Sequence, residues 1–212
     1  MKAKTYDLQN FDFEDHIDRI IEYSNEVEYG KVTIMTGPNG YGKSLLRKVL
    51  KIENAGKSYK VASVSMSQRT NANNDFGALR SLMMDDSSDA TSNHTCMLVN
   101  QLFKSTEKRY LVIDEPEIGL GKEILLGLIQ LIQTKIEEKK VAGEFHGIMF
   151  ITHSEFFIEN FPHDKFINLE NLTFEEWKNR KIEPIAPEDL KEWCLAMWRA
   201  IEHRISKVKN TK

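Results

Sequence analysis

Cysteine is scarce in this chain, and its two cysteines, Cys96 and Cys194, lie too far apart to form a metal-spaced pair. This argues against a disulfide framework or a cysteine metal site and predicts two free thiols in a reducing compartment. No apolar run approaches the roughly 20 residues that a membrane-spanning helix needs. The first residues lead into acidic sequence, so no secretory signal is expected. We predict a cytoplasmic protein without membrane insertion.

A strong net charge is also missing. The 212 residues carry a formal net charge of −3, which argues against bulk electrostatic coating of nucleic acid but leaves a local contact open. Residues 199–212 hold five bases against one acid, which fits either a solvated helix end or a contact with nucleic acid or a partner protein. With 41% hydrophobic and 29% charged residues, the composition is that of a globular protein rather than a disordered one.

Apolar, β-branched runs alternate along the chain with stretches of helical periodicity. The best strand runs, at 109–113 and 147–152, are continuously hydrophobic, as in parallel sheets that helices cover on both faces. The sequence therefore predicts an α/β fold with a mainly parallel sheet. Strands are predicted at 31–36, 59–66, 109–113, 147–152 and 165–169. Helices are predicted at 14–24, 43–52, 76–84, 94–103, 122–139 and from Pro187 to about Val208. The apolar stripe of the 122–139 helix is predicted to comprise Ile124, Leu125, Leu128, Ile129, Ile132 and Ile136.

A glycine-rich turn follows the first strong strand, where residues 37–44 read GPNGYGKS and fit the pattern G-x-x-x-x-G-K-[ST]. Its glycines let successive backbone N–H groups point at phosphate oxygens, and the next helix directs its N-terminus at the same anion. Lys43 is expected to reach the β- and γ-phosphates, and the Ser44 hydroxyl to bind Mg²⁺. A turn that binds nothing is the alternative. The predicted nucleotide-binding residues of this turn are Asn39, Gly40, Tyr41, Gly42, Lys43 and Ser44.

A second motif is the apolar strand that ends in adjacent carboxylates, YLVIDEPE at 110–117. The strand would hold Asp114 rigidly beside the glycine-rich turn, where it can bind Mg²⁺ through water. Glu115 is aimed differently and can act as the general base for the attacking water. The alternative is an acid pair that merely solvates the end of a strand.

Two more polar residues follow predicted strands. His153 stands at the carboxyl end of the 147–152 strand, where a histidine can sense a γ-phosphate, or can simply cap the strand. Gln68 follows the 59–66 strand and could ligate Mg²⁺ and hold the water, or could be a surface glutamine in an asparagine-rich loop.

The strings GPNGYGKS, IDEPEIGL at 113–120 and ITHS at 151–154 together resemble the ATP-binding-cassette (ABC) ATPase superfamily. The second string is most similar to the soluble branch, which includes structural-maintenance-of-chromosomes and recombination-repair heads and small anti-phage defence ATPases. The resemblance covers roughly residues 27–170 and implies a P-loop NTPase fold. Because the segment between Ser44 and Ser92 is short, this is expected to be an ABC-ATPase-like minimal head. We predict an ATPase core at 1–170 and a helical extension packed on it at 171–212.

By this resemblance, ATP and Mg²⁺ are the ligands, and Glu115, His153 and Lys43 are the catalytic residues. Ser44, Asp114 and Gln68 are the metal contacts, and Gln68 also contacts the nucleotide. The family works as a head-to-head homodimer that sandwiches two ATPs between the P-loop of one protomer and a serine–glycine signature of the other.

No LSGGQ-like signature string is present in this sequence. Its best positional match is TSNH at 91–94, in which Ser92 is either the nucleotide-binding signature serine or only a helix N-cap. Asn93 stands in place of the expected glycine, and Gly121 where the soluble branch usually has histidine.

The predicted function is hydrolysis of ATP to ADP and phosphate, with ATP-driven dimerisation that gates a partner protein or a DNA-related process such as repair or defence. The alternatives are a non-catalytic ATP-dependent clamp, the nucleotide-binding subunit of an ABC transporter, and a P-loop kinase.

Overall fold

The structure, a computed structural model, describes residues 22–23, 28–37, 43, 46, 50, 60–65, 91–104 and 108–180, and of residues 91–94 the backbone only. Its strands are β1 (Val32–Thr36), β2 (Lys60–Ser65), β3 (Arg109–Asp114), β4 (Ile148–Ile151) and β5 (Lys165–Asn168). They form one parallel sheet in the order β2-β3-β4-β1-β5. The helices within the described ranges are α1 (Thr91–Lys104), α2 (Lys122–Val141), α3 (Glu155–Asn160) and α4 (Phe174–Lys178). The predicted parallel α/β fold of a P-loop NTPase is thus confirmed.

Both faces of the sheet are buried. Neighbouring residues of a strand point to opposite faces, so each strand contributes side chains to both. In β1, Ile34 joins an apolar cluster with residues of α1, α2 and α3, whereas the next residue, Met35, joins a second cluster. That second cluster includes Leu46 and Leu50, which lie in helical backbone after the glycine-rich turn. The continuous hydrophobicity of the strands follows from this two-sided burial.

The longest described helix, α2, buries one stripe against the sheet. Its buried residues are Leu125, Leu128, Ile129, Ile132 and Ile136. Ile124 was predicted to join this stripe and is instead 44% exposed. At about 100° per residue, Ile124 lies a quarter-turn or more from the centre of the stripe, so the prediction was wrong for this residue. None of the described helices combines the length and hydrophobicity that crossing a bilayer would require.

Two short helices were not predicted from the sequence. The first, α3, begins after Ser154, whose hydroxyl accepts a hydrogen bond from the Phe157 N–H at 3.1 Å. The second, α4, begins after Thr173, which forms a reciprocal capping box with Glu176. Both helices are shorter than the periodicity window that reveals a helix, but the Thr-x-x-Glu spacing of α4 was a readable signal.

Several predicted elements lie outside the described residues. They are the 76–84 helix, the helix from Pro187, and most of the 14–24 and 43–52 helices. The division into a core at 1–170 and an extension at 171–212 stays a prediction.

The parallel arrangement brings the carboxyl ends of all five strands to one edge of the sheet. Asp114 at the end of β3 pairs in register with Ile151 of β4 and Ser65 of β2. On the other side of β4, the last residue of β1, Thr36, pairs with Asn168 of β5. Of the predicted site residues that the structure describes, Asp114 and His153 therefore lie at this edge.

At the opposite edge, Gly147 permits a close approach that a side chain would prevent. Its φ is 109°, and a Cβ atom there would lie 2.6 Å from Cε2 of the buried Tyr110. We expect Gly147→Ala to lower the free energy of unfolding by about 3 kcal/mol, measured by urea denaturation, because it combines a strained φ with overpacking.

The matched control is Gly143→Ala, which has a φ of 70° and no atom within 4 Å of the added Cβ. It should lose only about 1 kcal/mol, from backbone strain alone. Equal losses for the two variants would contradict the packing argument.

Candidate functional site

Lys43 lies folded back onto the end of β1. Its ammonium Nζ donates a hydrogen bond to the Gly37 carbonyl at 2.8 Å, and the residue is only 7% exposed. Its backbone is helical, and Leu46 and Leu50 continue the same helical face into the core. The lysine of the glycine-rich motif is therefore held at the carboxyl edge of the sheet by a strand before it and an anchored helical segment after it.

The acidic strand end has an unusual backbone conformation. Asp114 is the last residue of β3 and is buried. Glu115 has a φ of 56°, and its N–H donates to the Ile151 carbonyl of β4 at 2.7 Å. Such a φ is unusual for a non-glycine residue, and a residue before a proline (here Pro116) normally takes an extended conformation. The backbone thus turns sharply directly after Asp114, and the separate roles of the two carboxylates stay a prediction.

Electrostatic interactions couple Lys43, which follows β1, to the acidic residues at the end of β3. Burial lowers the pKa of Lys43 to about 8, while the nearby charges of Asp114, Glu115 and Glu117 act to raise it. At pH 7 the ammonium is still mostly charged. The cation thus interacts electrostatically with three carboxylates, although β1 and β3, which carry these groups at their ends, are not neighbours in the sheet.

His153 lies at the same edge, just after β4. It is exposed at the rim, yet partial desolvation of its ring lowers its pKa, and the positive charge of Lys43 lowers it further. Glu115 acts on it in the opposite direction. Because the net shift is downward, the ring is neutral at pH 7 and has one nitrogen that can donate and one that can accept a hydrogen bond.

Glu117 is a residue of this edge to which the sequence analysis gave no role. One of its carboxylate oxygens, Oε1, accepts hydrogen bonds from the backbone N–H groups of His153 at 2.9 Å and Ser154 at 3.2 Å. The partners lie 36 and 37 positions further along the chain. The only signal in the sequence was its place as a third acid directly after the strand.

The described residues thus bring together Lys43, Asp114, Glu115 and His153 of the predicted site. Asn39, Gly40, Tyr41, Gly42, Ser44 and Gln68 lie outside the described residues, so their assignments stay predictions.

Ser92 does not precede its helix as predicted. The helix α1 begins at Thr91 and not at His94, so Ser92 is its second residue and not its N-cap. Polar side chains are tolerated there, because the first turn leaves backbone N–H groups without intrahelical partners. The role of Ser92 toward a nucleotide stays a prediction.

The described residues contain no group of three or more His, Cys, Asp or Glu side chains that could hold a metal ion by themselves. Magnesium in nucleotide sites does not need such a group, since one or two carboxylates and substrate phosphates suffice. The buried carboxylate of Asp114, close enough to Lys43 to act on its pKa, fits that donor set.

No protein-family model and no curated protein matches this chain. Among solved structures, it is similar to AMPPCP-bound DnaA from Aquifex aeolicus, with 16% identity and a TM-score of 0.40 over 98% of this chain and 65% of that one. It is similar to Cdc6p from Pyrobaculum aerophilum, with 16% identity and a TM-score of 0.38 over 94% and 51% of the two chains. A nucleotide-free ATP-binding cassette from an ABC transporter gives 13% identity and a TM-score of 0.37 over 68% and 79%.

This chain spans less than two thirds of the DnaA and Cdc6p chains that it matches. At these TM-scores, none of the likenesses carries an argument about its activity. The assignment to the P-loop NTPase fold rests on features of the chain itself. They are the parallel sheet, the glycine-rich motif after β1 and the buried Lys43 opposite the acidic end of β3.

The positive φ of Glu115 predicts an inverted order of stability between two truncations. Glu115→Gly should be more stable than Glu115→Ala by about 1 kcal/mol in urea denaturation, because only glycine takes this φ without strain. At Glu137, exposed within α2, the order should reverse, with Gly less stable than Ala by about 1 kcal/mol. The same order at both positions would contradict the backbone argument.

The depressed pKa of Lys43 predicts how stability depends on pH. The unfolded chain keeps this proton up to a pKa of 10.5 and the folded chain only up to about 8. Between these values the unfolded chain binds more protons, so the contribution of Lys43 to the free energy of unfolding rises with pH.

The stability of Lys43→Met relative to the wild type should therefore be greatest at pH 7 and should fall by at least about 1 kcal/mol toward pH 10. Urea denaturation across this range measures it, with the exposed Lys178→Met as the control that shows no such trend. A gap that is constant with pH would refute burial as its cause.

Proposed function

We propose that this protein binds and hydrolyses ATP with Mg²⁺ as an ABC-type ATPase. One observation carries the proposal: the buried ammonium of Lys43 lies at the end of β1 and interacts electrostatically with the three carboxylates at and just after the end of β3. Such a cation can bind the phosphates of a nucleoside triphosphate, and the acidic strand end opposite it can bind the metal. The proposal makes the carboxyl edge of the sheet the site of reaction.

In this proposal the glycine-rich turn and Lys43 bind the phosphates. Lys43 leaves the Gly37 carbonyl, which now occupies its ammonium, and pairs with the β- and γ-phosphate oxygens. Ser44, Asp114 and Gln68 would hold the metal, with Asp114 acting through water. Magnesium, when bound, would neutralise charge that develops on the transferred phosphoryl group.

Hydrolysis needs a group that takes a proton from water. In this proposal the Glu115 carboxylate accepts that proton as the water oxygen bonds to the γ-phosphorus. The bond from the γ-phosphorus to the bridging oxygen breaks, and its electron pair leaves with ADP. In this proposal His153, on which Glu115 acts electrostatically, hydrogen-bonds the γ-phosphate. Both groups follow adjacent strands, so one sheet edge supplies base and sensor.

The resemblance to the soluble ABC branch extends the proposal to assembly. Two copies would close head to head around ATP, with Ser92 of each copy completing the site of the other. The closed dimer would gate a partner protein or a DNA-related process such as repair or defence, and a cytoplasmic location fits that role.

The experiment compares Glu115→Gln and Lys43→Met with the wild type. We expect Glu115→Gln to bind ATP within about threefold of wild-type affinity but to release phosphate at least about 100-fold more slowly, because it lacks the general base. With ATP and Mg²⁺ it should double in mass by light scattering. Lys43→Met should lose at least about 100-fold in ATP affinity by calorimetry, because it lacks the phosphate-binding cation.

The control is Glu159→Gln, which changes an exposed glutamate of α3 and should match the wild type. Undiminished ATP affinity in Lys43→Met would overturn the assignment of the site. A wild type that binds ATP and dimerises, yet releases phosphate no faster than Glu115→Gln, would make the protein an ATP-dependent clamp.

A further inference from the structure

Glu117 ties the acidic turn after β3 to the loop after β4. Its Oε1 accepts the N–H groups of two successive residues, His153 and Ser154. Hydrogen bonds from backbone N–H groups to a carboxylate are charge-assisted and stronger than those between neutral groups. Among the described residues, the bond to Glu117 is the one hydrogen bond that His153 makes. Where the backbone of His153 lies therefore depends directly on this carboxylate.

The second oxygen of Glu117 shows that this contact is costly. Oε2 is buried and has no hydrogen-bond partner among the described residues. A desolvated carboxylate oxygen without a donor destabilises a fold, and a neutral glutamine could also accept the two N–H groups. The charged contact therefore destabilises the fold more than a neutral bridge between the two loops would. It lies beside the groups that the proposed reaction uses.

A second hydrogen bond joins the same two segments. The Glu115 N–H donates to the Ile151 carbonyl at 2.7 Å, two residues before each end of the Glu117 bridge. Glu115 and His153 therefore stand on segments that are connected twice, once through backbone atoms and once through the Glu117 side chain. These two connections fix the separation of the proposed base and the proposed γ-phosphate sensor.

We propose that Glu117 is a positioning residue that holds the backbone of His153 at the phosphate edge, in fixed relation to Glu115. This inference rests on the proposed function, because the consequence of the placement is measured in ATP hydrolysis. Glu117 itself touches neither phosphate nor water in this role.

The first arm of the experiment measures the placement itself, without nucleotide. Amide hydrogen exchange at His153 is followed by NMR in the wild type, Glu117→Gln and Glu117→Met. The His153 N–H should exchange at least about tenfold faster in Glu117→Met, which has no acceptor, and stay within about threefold of wild type in Glu117→Gln. Ser154 is a weaker reporter, because its N–H also donates to Oγ1 of Thr152 at 3.0 Å.

The second arm measures steady-state ATP hydrolysis. Glu117→Met should lower kcat about 10- to 100-fold with KM within about threefold, because misplacing a group that acts on the transition state affects turnover more than binding. Glu117→Gln should recover most of this loss. The control Glu159→Met makes the same replacement at an exposed position of α3 and should leave kcat and exchange at His153 unchanged.

The possible failures are distinguishable. A wild type that does not hydrolyse ATP contradicts the proposed function, and this inference falls with it. If the wild type hydrolyses ATP, an unchanged kcat in Glu117→Met overturns the inference alone. So does an equal loss in Glu117→Met and Glu117→Gln, since a glutamine that accepts the same N–H groups must rescue a positioning role. Unchanged exchange at His153 in Glu117→Met would likewise refute it.

Discussion

The buried charge of Lys43 is the constraint on which the rest of this structure depends. An ammonium group taken out of water needs compensating negative charge and hydrogen-bond acceptors. Here the Gly37 carbonyl supplies an acceptor and the acidic segment after β3 supplies the charge. Because Lys43 follows β1 and the acids follow β3, the compensation exists only where both strands run in the same direction and end at the same edge. The parallel sheet therefore brings Lys43 and the acids to one edge as well as burying apolar side chains.

Strand β4 lies between β3 and β1 and connects their carboxyl ends. Its carboxyl end is hydrogen-bonded on both sides, because the Ile151 carbonyl accepts from Glu115 and the Thr152 N–H donates to the Met35 carbonyl of β1 at 3.0 Å. The bridge from Glu117 then holds the next residues. The loop after β4 is thus connected to both neighbouring strands. His153 in this loop is acted on electrostatically by Lys43 and by Glu115.

The sequence predicted those parts of the site that are determined by residues close together in the chain. Hydrophobic runs revealed the strands, and parallel strands bring chemistry to their carboxyl ends, so Lys43, Asp114 and His153 could be assigned to one edge before the structure. The role of Glu117 could not be predicted, because its partners lie far along the chain and the spacing of acids says nothing about them. The error at Ile124 arose from counting apolar residues without locating the centre of the stripe.

The two shortest helices show why other elements were missed. A helix of five or six residues has too few turns to display a period, and it is not stable in isolation. What stabilises α3 is tertiary packing. Phe157 and Phe161 stack at 5.1 Å between ring centroids, and both lie against Phe150 of β4, at 5.2 and 4.6 Å. These contacts depend on the assembled sheet, which no local pattern describes.

That same packing explains how the site keeps its unfavourable features. The positive φ of Glu115 and the desolvated Lys43 each destabilise the fold, as does the Glu117 oxygen that has no hydrogen-bond partner among the described residues. Such features persist only when the surrounding structure over-determines them. The loop after β4 begins on a fully buried strand and ends on the aromatic anchor of α3, so both of its ends are fixed by apolar burial. The free energy that holds the polar edge in place thus comes from the core behind it, and weakening the contacts of Phe150 should loosen the edge before it unfolds the sheet.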